Sequence, residues 1–200
     1  MLKHIIFDYD GVLVDSFRFH LDKYNDIFDV SLTAQELRDA HNSNFYQNKS
    51  AKFNLINIQK YVSTVAADQK YLPLRPGVKE SLTILAKNKT LHLVTSGWER
   101  QILPNLKHHD IDTLFAHTLF ADHGLAKHEK IRRILSDEKV DSALCIFVTD
   151  TLGDLLEARE VPIQSVALTI GFHSEETLKK GNPDYMFNTW ESLHSFLISI

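Results

Sequence analysis

The stretch His4-Ile5-Ile6-Phe7-Asp8-Tyr9-Asp10-Gly11-Val12-Leu13-Val14-Asp15-Ser16 decides the fold. A short apolar run with no alternation reads as a strand buried on both faces, and it stops abruptly at two acids. Side chains along a strand alternate with period two, so Asp8 and Asp10 point the same way from its carboxyl end. Two like charges placed there cost stability. A fold keeps them when something neutralises them, and a hard divalent cation such as Mg²⁺ is the common neutraliser of clustered carboxylates. Taken alone, Asp8-Tyr9-Asp10-Gly11 reads equally well as a strand ending in a solvated Asp-Gly turn. The rest of the chain has to decide.

From Arg75 onward, β-rich runs alternate with amphipathic helical patterns, the arrangement of a parallel sheet covered on both faces. Expected strands are 5–8, 91–95, 116–120, 145–150, 165–169 and 185–187. Expected helices are 77–87, opened by Pro76, then 99–106, 127–136, 152–160 and a last one capped by Thr189 with Leu193, Phe196 and Leu197 on its buried face. Residues 17–74 break the alternation and read as helix only. Phe17, Leu21, Tyr24 and Phe28 recur at helical spacing, as do Phe53, Ile56, Tyr61 and Val65 in a long pattern from about Phe45 to Tyr71. The expectation is a doubly wound α/β core, 1–16 and 75–200, with an all-helical cap, 17–74, inserted after the first strand.

Open parallel sheets bind ligands where their strands end and helices begin. Four groups of residues are expected there. Asp8 and Asp10 follow the first strand. Thr95-Ser96-Gly97 follows the second, either as a helix cap or as a hydroxyl and backbone N–H groups facing an anion. Lys127 opens a helix, where a cation works against the dipole unless a phosphate or carboxylate faces it; Lys130 competes for the same role. Asp150 ends the fourth strand and Asp154 lies in the first turn of the next helix, so both can approach one cation.

The order of these groups resembles the four motifs of the haloacid dehalogenase superfamily. Asp8 to Ser16 matches its first motif, D-x-D-G-[TV]-L-x-D-[ST], without a gap. The resemblance implies a Mg²⁺-dependent phosphatase acting on a small phosphorylated metabolite through an aspartyl-phosphate. Asp8 would be the nucleophile. Asp10 would be the general acid and base, entering the cycle protonated and therefore expected to have a raised pKa. Thr95, Ser96, Gly97 and Lys127 would hold the phosphoryl group, and Asp8, the Asp10 carbonyl, Asp150 and Asp154 the cation. Two departures stand out: Thr149 replaces the usual glycine before Asp150, and His128 replaces a common proline. Gly171-Phe172-His173-Ser174 and Pro183-Asp184-Tyr185 resemble the phosphoglycolate-phosphatase-like subgroup. Retention of Asp10 favours phosphoryl transfer over dehalogenation. A sugar phosphomutase and an inactive scaffold that only binds are the rivals, and a phosphonate-cleaving relative would need a cap lysine such as Lys49 or Lys52.

The composition sets further bounds. With 200 residues, 44% hydrophobic and 24% charged, the chain can build a full core and a small second unit. A net charge of -4 with no Lys/Arg-rich run argues against a nucleic-acid partner. No apolar run is long enough to span a bilayer, and the start turns acidic too soon for a signal peptide, so a cytoplasmic protein without a membrane partner is expected. Cys145 sits in an apolar run and reads as core. The 11 histidines are scattered without metal-ligand spacing, so no transition-metal site is expected. His20, one turn past Ser16 on the hinge side of the cap, could face the substrate but reads first as a solvated helix residue.

Overall fold

The computed structural model describes residues 2–43 and 58–200. Six strands, β1 (His4–Phe7), β2 (Thr90–Val94), β3 (Phe115–Leu119), β4 (Cys145–Thr149), β5 (Gln164–Leu168) and β6 (Tyr185–Phe187), form one sheet in the order β3-β2-β1-β4-β5-β6. Every neighbouring pair is parallel. All six lie where the sequence placed them, but five stop one residue short of the expected carboxyl end. At β1, β2 and β4 the residue that leaves the ladder is Asp8, Thr95 or Asp150, whose side chain turns into the space above the sheet.

The strands read as continuous apolar runs because both faces are covered. On one face Ile5, Phe7, Leu93, Ile146 and Val148 pack against α4 (Val78–Leu85), α5 (Glu99–His108) and α9 (Trp190–Ser199). On the other, Ile6, Val94 and Phe147 meet Ile131 and Ile134 of α6 (Lys127–Glu138) and Ala158 of α7 (Leu152–Ala158). The result is a doubly wound α/β fold. Cys145 is a buried, free thiol in this sheet, as expected of a core residue.

Strand order reverses between β1 and β4, which sit side by side at the centre. Ligands collect in the crevice at such a reversal, beyond the carboxyl ends of the strands. Asp8 and Asp150 leave the sheet at that point.

Residues 17–69 supply α1 (Phe17–Phe28), α2 (Ala34–Ala40) and α3 (Ile58–Gln69). Their apolar side chains form clusters of their own, one around Leu21, Leu32 and Leu37 and one around Tyr61, Val62 and Val65. The chain leaves and re-enters the sheet through adjacent segments: Val14 bridges Leu74, and Arg75 N–H donates to the Leu13 carbonyl at 2.8 Å. The sequence reading did not separate α2, although its signal was present, since Thr33 and Glu36 form a reciprocal capping box at its start. The short α8 (Glu175–Lys179), capped by Ser174, was also missed. Phe45, Phe53, Ile56, Lys49 and Lys52 lie outside the described residues.

The scattered histidines gather in one respect the sequence did not disclose. His92 pairs with His117 across β2 and β3, and His4 lies on the same face of β1, so three imidazoles stand in a row beneath α6. Register between strands, rather than spacing along one, brings them together.

Candidate active site

Asp8, Lys127 and Asp154 form the centre of the site. Lys127 Nζ lies 2.7 Å from Asp8 Oδ2 and 2.6 Å from Asp154 Oδ2, and all three side chains are buried. Burial disfavours the ammonium, but Asp154 and Asp8 outweigh it and hold Lys127 charged, above the ordinary lysine range. This explains a cation at a helix N-terminus. Carboxylates face it, while Glu157 accepts the Lys127 N–H and Glu129 the N–H of the cap residue Ala126. Lys130, the competing candidate, turns elsewhere: its Nζ donates to the Thr95 carbonyl at 2.7 Å.

Thr149, where the resemblance leads one to expect glycine, finds a use for its side chain. Its Oγ1 donates to Asp154 Oδ2 at 2.6 Å and accepts the Thr151 N–H at 3.3 Å. Burial pushes the Asp154 pKa up, yet the charge of Lys127 and the hydrogen bonds from Lys127 and Thr149 bring it below the ordinary carboxylate value.

Asp150 is held differently. Its Oδ2 accepts the Phe172 N–H at 2.6 Å, while Oδ1 is buried with no hydrogen-bond partner among the described residues. The backbone closes around this carboxylate so tightly that a Cβ on Gly11 would lie 1.8 Å from Oδ2 and one on Gly171 2.1 Å from it. Gly11 is also at φ 74°, so glycine is required there twice over. The Gly171-Phe172-His173 turn, which the sequence offered only as a subgroup resemblance, therefore shapes the site. His173 reinforces it by accepting the Leu152 N–H through Nδ1. Burial, only partly offset by the Phe172 hydrogen bond, pushes Asp150 up to about 7. Burial likewise raises Asp8 well above the usual range despite Lys127.

A buried carboxylate oxygen without a donor, among acids that outnumber their lysine, is the donor set of a hard divalent cation. The orphaned oxygen of Asp150, close to Asp8 and Asp154 around Lys127, is chemically suited to such an ion.

Asp10 takes no part in the lysine cluster. Its Oδ1 accepts from Ser16 Oγ at 2.6 Å and faces His20 Nε2 at 2.9 Å, and His20 Nδ1 in turn meets the Tyr61 hydroxyl at 2.5 Å. Burial opposes ionisation of Asp10, but His20, Ser16 and Lys127 outweigh it, so its pKa is lowered. The raised value expected from its role is thus corrected, as is the reading of His20 as a solvated residue. A single histidine on an amphipathic helix carries no signal of its partner; the one available clue was its place one turn beyond Ser16.

Thr95 is fully buried, and its Oγ1 accepts the Gly97 N–H at 2.9 Å, which leaves the hydroxyl proton to donate elsewhere. The Gly97 amide is thus bonded within the loop, in keeping with the helix-cap alternative for 95–97. Ser96 and Gly97 line a cleft with Asp10, His20, Tyr61 and Phe172, between helices α1 and α3 and the loops of the sheet. Among the described residues, Gln69 Nε2 and Trp98 Nε1, which also line it, are buried donors with no partner. Arg75 braces the floor by donating to the carbonyls of Gly11 and Ile170.

Comparison with known proteins agrees with this geometry. The sequence model of the haloacid dehalogenase-like hydrolase family matches residues 5–168. A phosphoglycolate phosphatase of Synechococcus elongatus is 25% identical over 198 residues, covering 94% of this chain and 93% of the relative. One from Haemophilus influenzae is 29% identical over 128 residues, 62% of this chain and 57% of the relative. Among solved structures, a protein described as a predicted phosphatase from Clostridium acetobutylicum superimposes with a TM-score of 0.85 at 22% identity, covering 100% of both chains, and so shares the fold. The chain belongs to the haloacid dehalogenase-like hydrolase family, as a phosphatase-type enzyme similar to phosphoglycolate phosphatases.

Proposed function

We propose that this hydrolase is a Mg²⁺-dependent phosphatase that cleaves a small phosphorylated metabolite through an aspartyl-phosphate on Asp8. The observation that carries the reading is the buried Asp8 carboxylate held 2.7 Å from Lys127 at the carboxyl end of β1, with Asp10 separately engaged two residues on.

Asp8 attacks phosphorus, and the leaving oxygen departs from the opposite side. Lys127 and the Thr95 hydroxyl bind the phosphoryl oxygens, with Ser96 and Gly97 forming the adjoining wall. Asp8, the Asp10 carbonyl, Asp150 and Asp154 would hold Mg²⁺, whose positive charge would let a carboxylate approach a phosphate. Asp10 protonates the leaving alkoxide and then takes a proton from the water that hydrolyses the aspartyl-phosphate. Because Asp10 is held below the usual range, His20 becomes part of this step. A proton between His20 Nε2 and Asp10 Oδ1 is available to the leaving group, and Tyr61 fixes the imidazole.

Residues 17–74 act in this reading as a cap, whose His20, Tyr61 and Gln69 form the roof of the cleft. Excluding water there strengthens every charge interaction below. Gln69 Nε2 and Trp98 Nε1 are placed to receive an oxygen of the substrate remote from its phosphate. The cytoplasmic location expected from the sequence belongs to the same reading; among the described residues no helix is long and apolar enough to cross a membrane.

The test is Mg²⁺-dependent phosphate release from a panel of small phosphate esters by the wild type and Asp8→Asn. The reading expects turnover that disappears in the variant. Equal rates in both proteins, or isomerisation of sugar phosphates without phosphate release, would replace it.

A further inference from the structure

We propose that His92, His117 and Glu138 form a second metal site, for a borderline transition-metal dication such as Zn²⁺, on the face of the sheet covered by α6. One ring nitrogen of each histidine and one Glu138 oxygen lie within 4.8 Å of one another. Zn–N and Zn–O distances of roughly 2.0–2.2 Å put tetrahedral ligands about 3.3 Å apart, so side-chain shifts of about 1 Å close the set.

The second observation is an orphaned atom. His92 is fully buried, and its Nδ1 hydrogen-bonds nothing among the described residues. Its Nε2 lies 3.0 Å from His4 Nδ1. In the tautomer where Nε2–H donates to His4, Nδ1 is a bare lone pair inside a protein core, where an unused polar atom costs stability. His4 is then the outer hydrogen-bond partner that fixes a ligating imidazole. Glu138 Oε1 already reaches His117 Nε2 at 2.8 Å, and these two side chains are 28% and 24% exposed, so an ion has a path in from solvent.

Two imidazoles and one carboxylate suit Zn²⁺ and its neighbours in the first transition row, whereas Mg²⁺ prefers oxygen alone. The two sites therefore sort their metals by chemistry. They are also apart: Glu138 ends the helix that Lys127 begins, eleven residues or about 16 Å away. A metal here would fasten the carboxyl end of α6 to β2 and β3. The proposal does not depend on the phosphatase reading.

The experiment titrates Zn²⁺ by calorimetry into chelator-treated protein kept in excess Mg²⁺, with thermal unfolding as a parallel readout. The wild type and Asp150→Asn, which lacks an acid of the crevice, should each bind one equivalent and rise in Tm. His117→Gln and Glu138→Gln should bind more than about tenfold more weakly and show no rise, while keeping the wild-type rate of Mg²⁺-dependent phosphate release, which also shows that they fold. No binding by the wild type overturns the proposal. So does binding that survives both substitutions, or binding lost only in Asp150→Asn.

Discussion

Replacing Asp150 by asparagine should stabilise the metal-free protein at alkaline pH while abolishing its response to Mg²⁺. Burial moves the Asp150 carboxyl from an ordinary 3.8 to about 7. A folded-state pKa above the unfolded one means that the native protein binds more protons between those values, so metal-free stability falls as pH rises from about 4 to about 7 and stays low above it. At about 1.4 kcal/mol per tenfold in the ionisation constant, ionising Asp150 costs the native state about 4 kcal/mol at pH 8. For a chain of this size that corresponds to a Tm difference of about 5–15 °C. Asparagine keeps an oxygen to accept the Phe172 N–H and carries no charge. The assay is thermal unfolding of both proteins at pH 5 and pH 8, with and without Mg²⁺. Metal-free Asp150→Asn should be the more stable protein at pH 8 by that margin, and the two should draw closer at pH 5. Mg²⁺ should raise only the wild type, and more strongly at pH 8, because binding must expel the Asp150 proton. A variant less stable than wild type at pH 8, or one that still responds to Mg²⁺, refutes the reasoning.

Gly171→Ala, whose Cβ would fall 2.1 Å from Asp150 Oδ2, should displace that carboxylate and weaken activation by Mg²⁺ by about tenfold or more; an unchanged Mg²⁺ dependence of the rate would show that the turn yields. His20→Asn should lower kcat by about 10²-fold for alkyl phosphates and much less for p-nitrophenyl phosphate, whose leaving group needs no proton; an equal loss on both substrates would assign His20 to structure alone. Thr149→Ala removes the hydroxyl that donates to Asp154 and should cost about 1–3 kcal/mol in denaturant unfolding, whereas no loss would mean that the threonine is idle.

Much of this was legible in the chain. Strand runs buried on both faces are long enough in apolar residues to be read directly, and the acids that end them are conspicuous because charge at the end of a buried run is costly. Asp8 and Asp150 stand out for that reason, whereas Asp10, Thr95, Lys127 and Asp154 are marked by their places at loop and helix starts and by the resemblance. What could not be read were contacts that depend on where two segments meet. His20 reaches Asp10 and Tyr61 only because α1 and α3 close over β1. His92 and His117 become neighbours through strand register, at a separation along the chain that matches no ligand motif. The pKa of Asp10 went the other way from its expected direction because its partners lie on α1 and at Ser16, and their effect exceeds that of burial. Thr149, an anomaly against the family pattern, acquires its role from a hydrogen bond visible only once α7 is in place.

The claim that Asp8 receives the phosphoryl group is tested most directly by acid-quenching a single turnover, reducing any acyl phosphate with borohydride, and mapping the modified peptide by mass spectrometry. The account predicts a modification at Asp8, formed and lost within the turnover and absent from Asp8→Asn. Turnover that leaves Asp8 unmodified, or a phosphoryl group mapped to another residue, would contradict it.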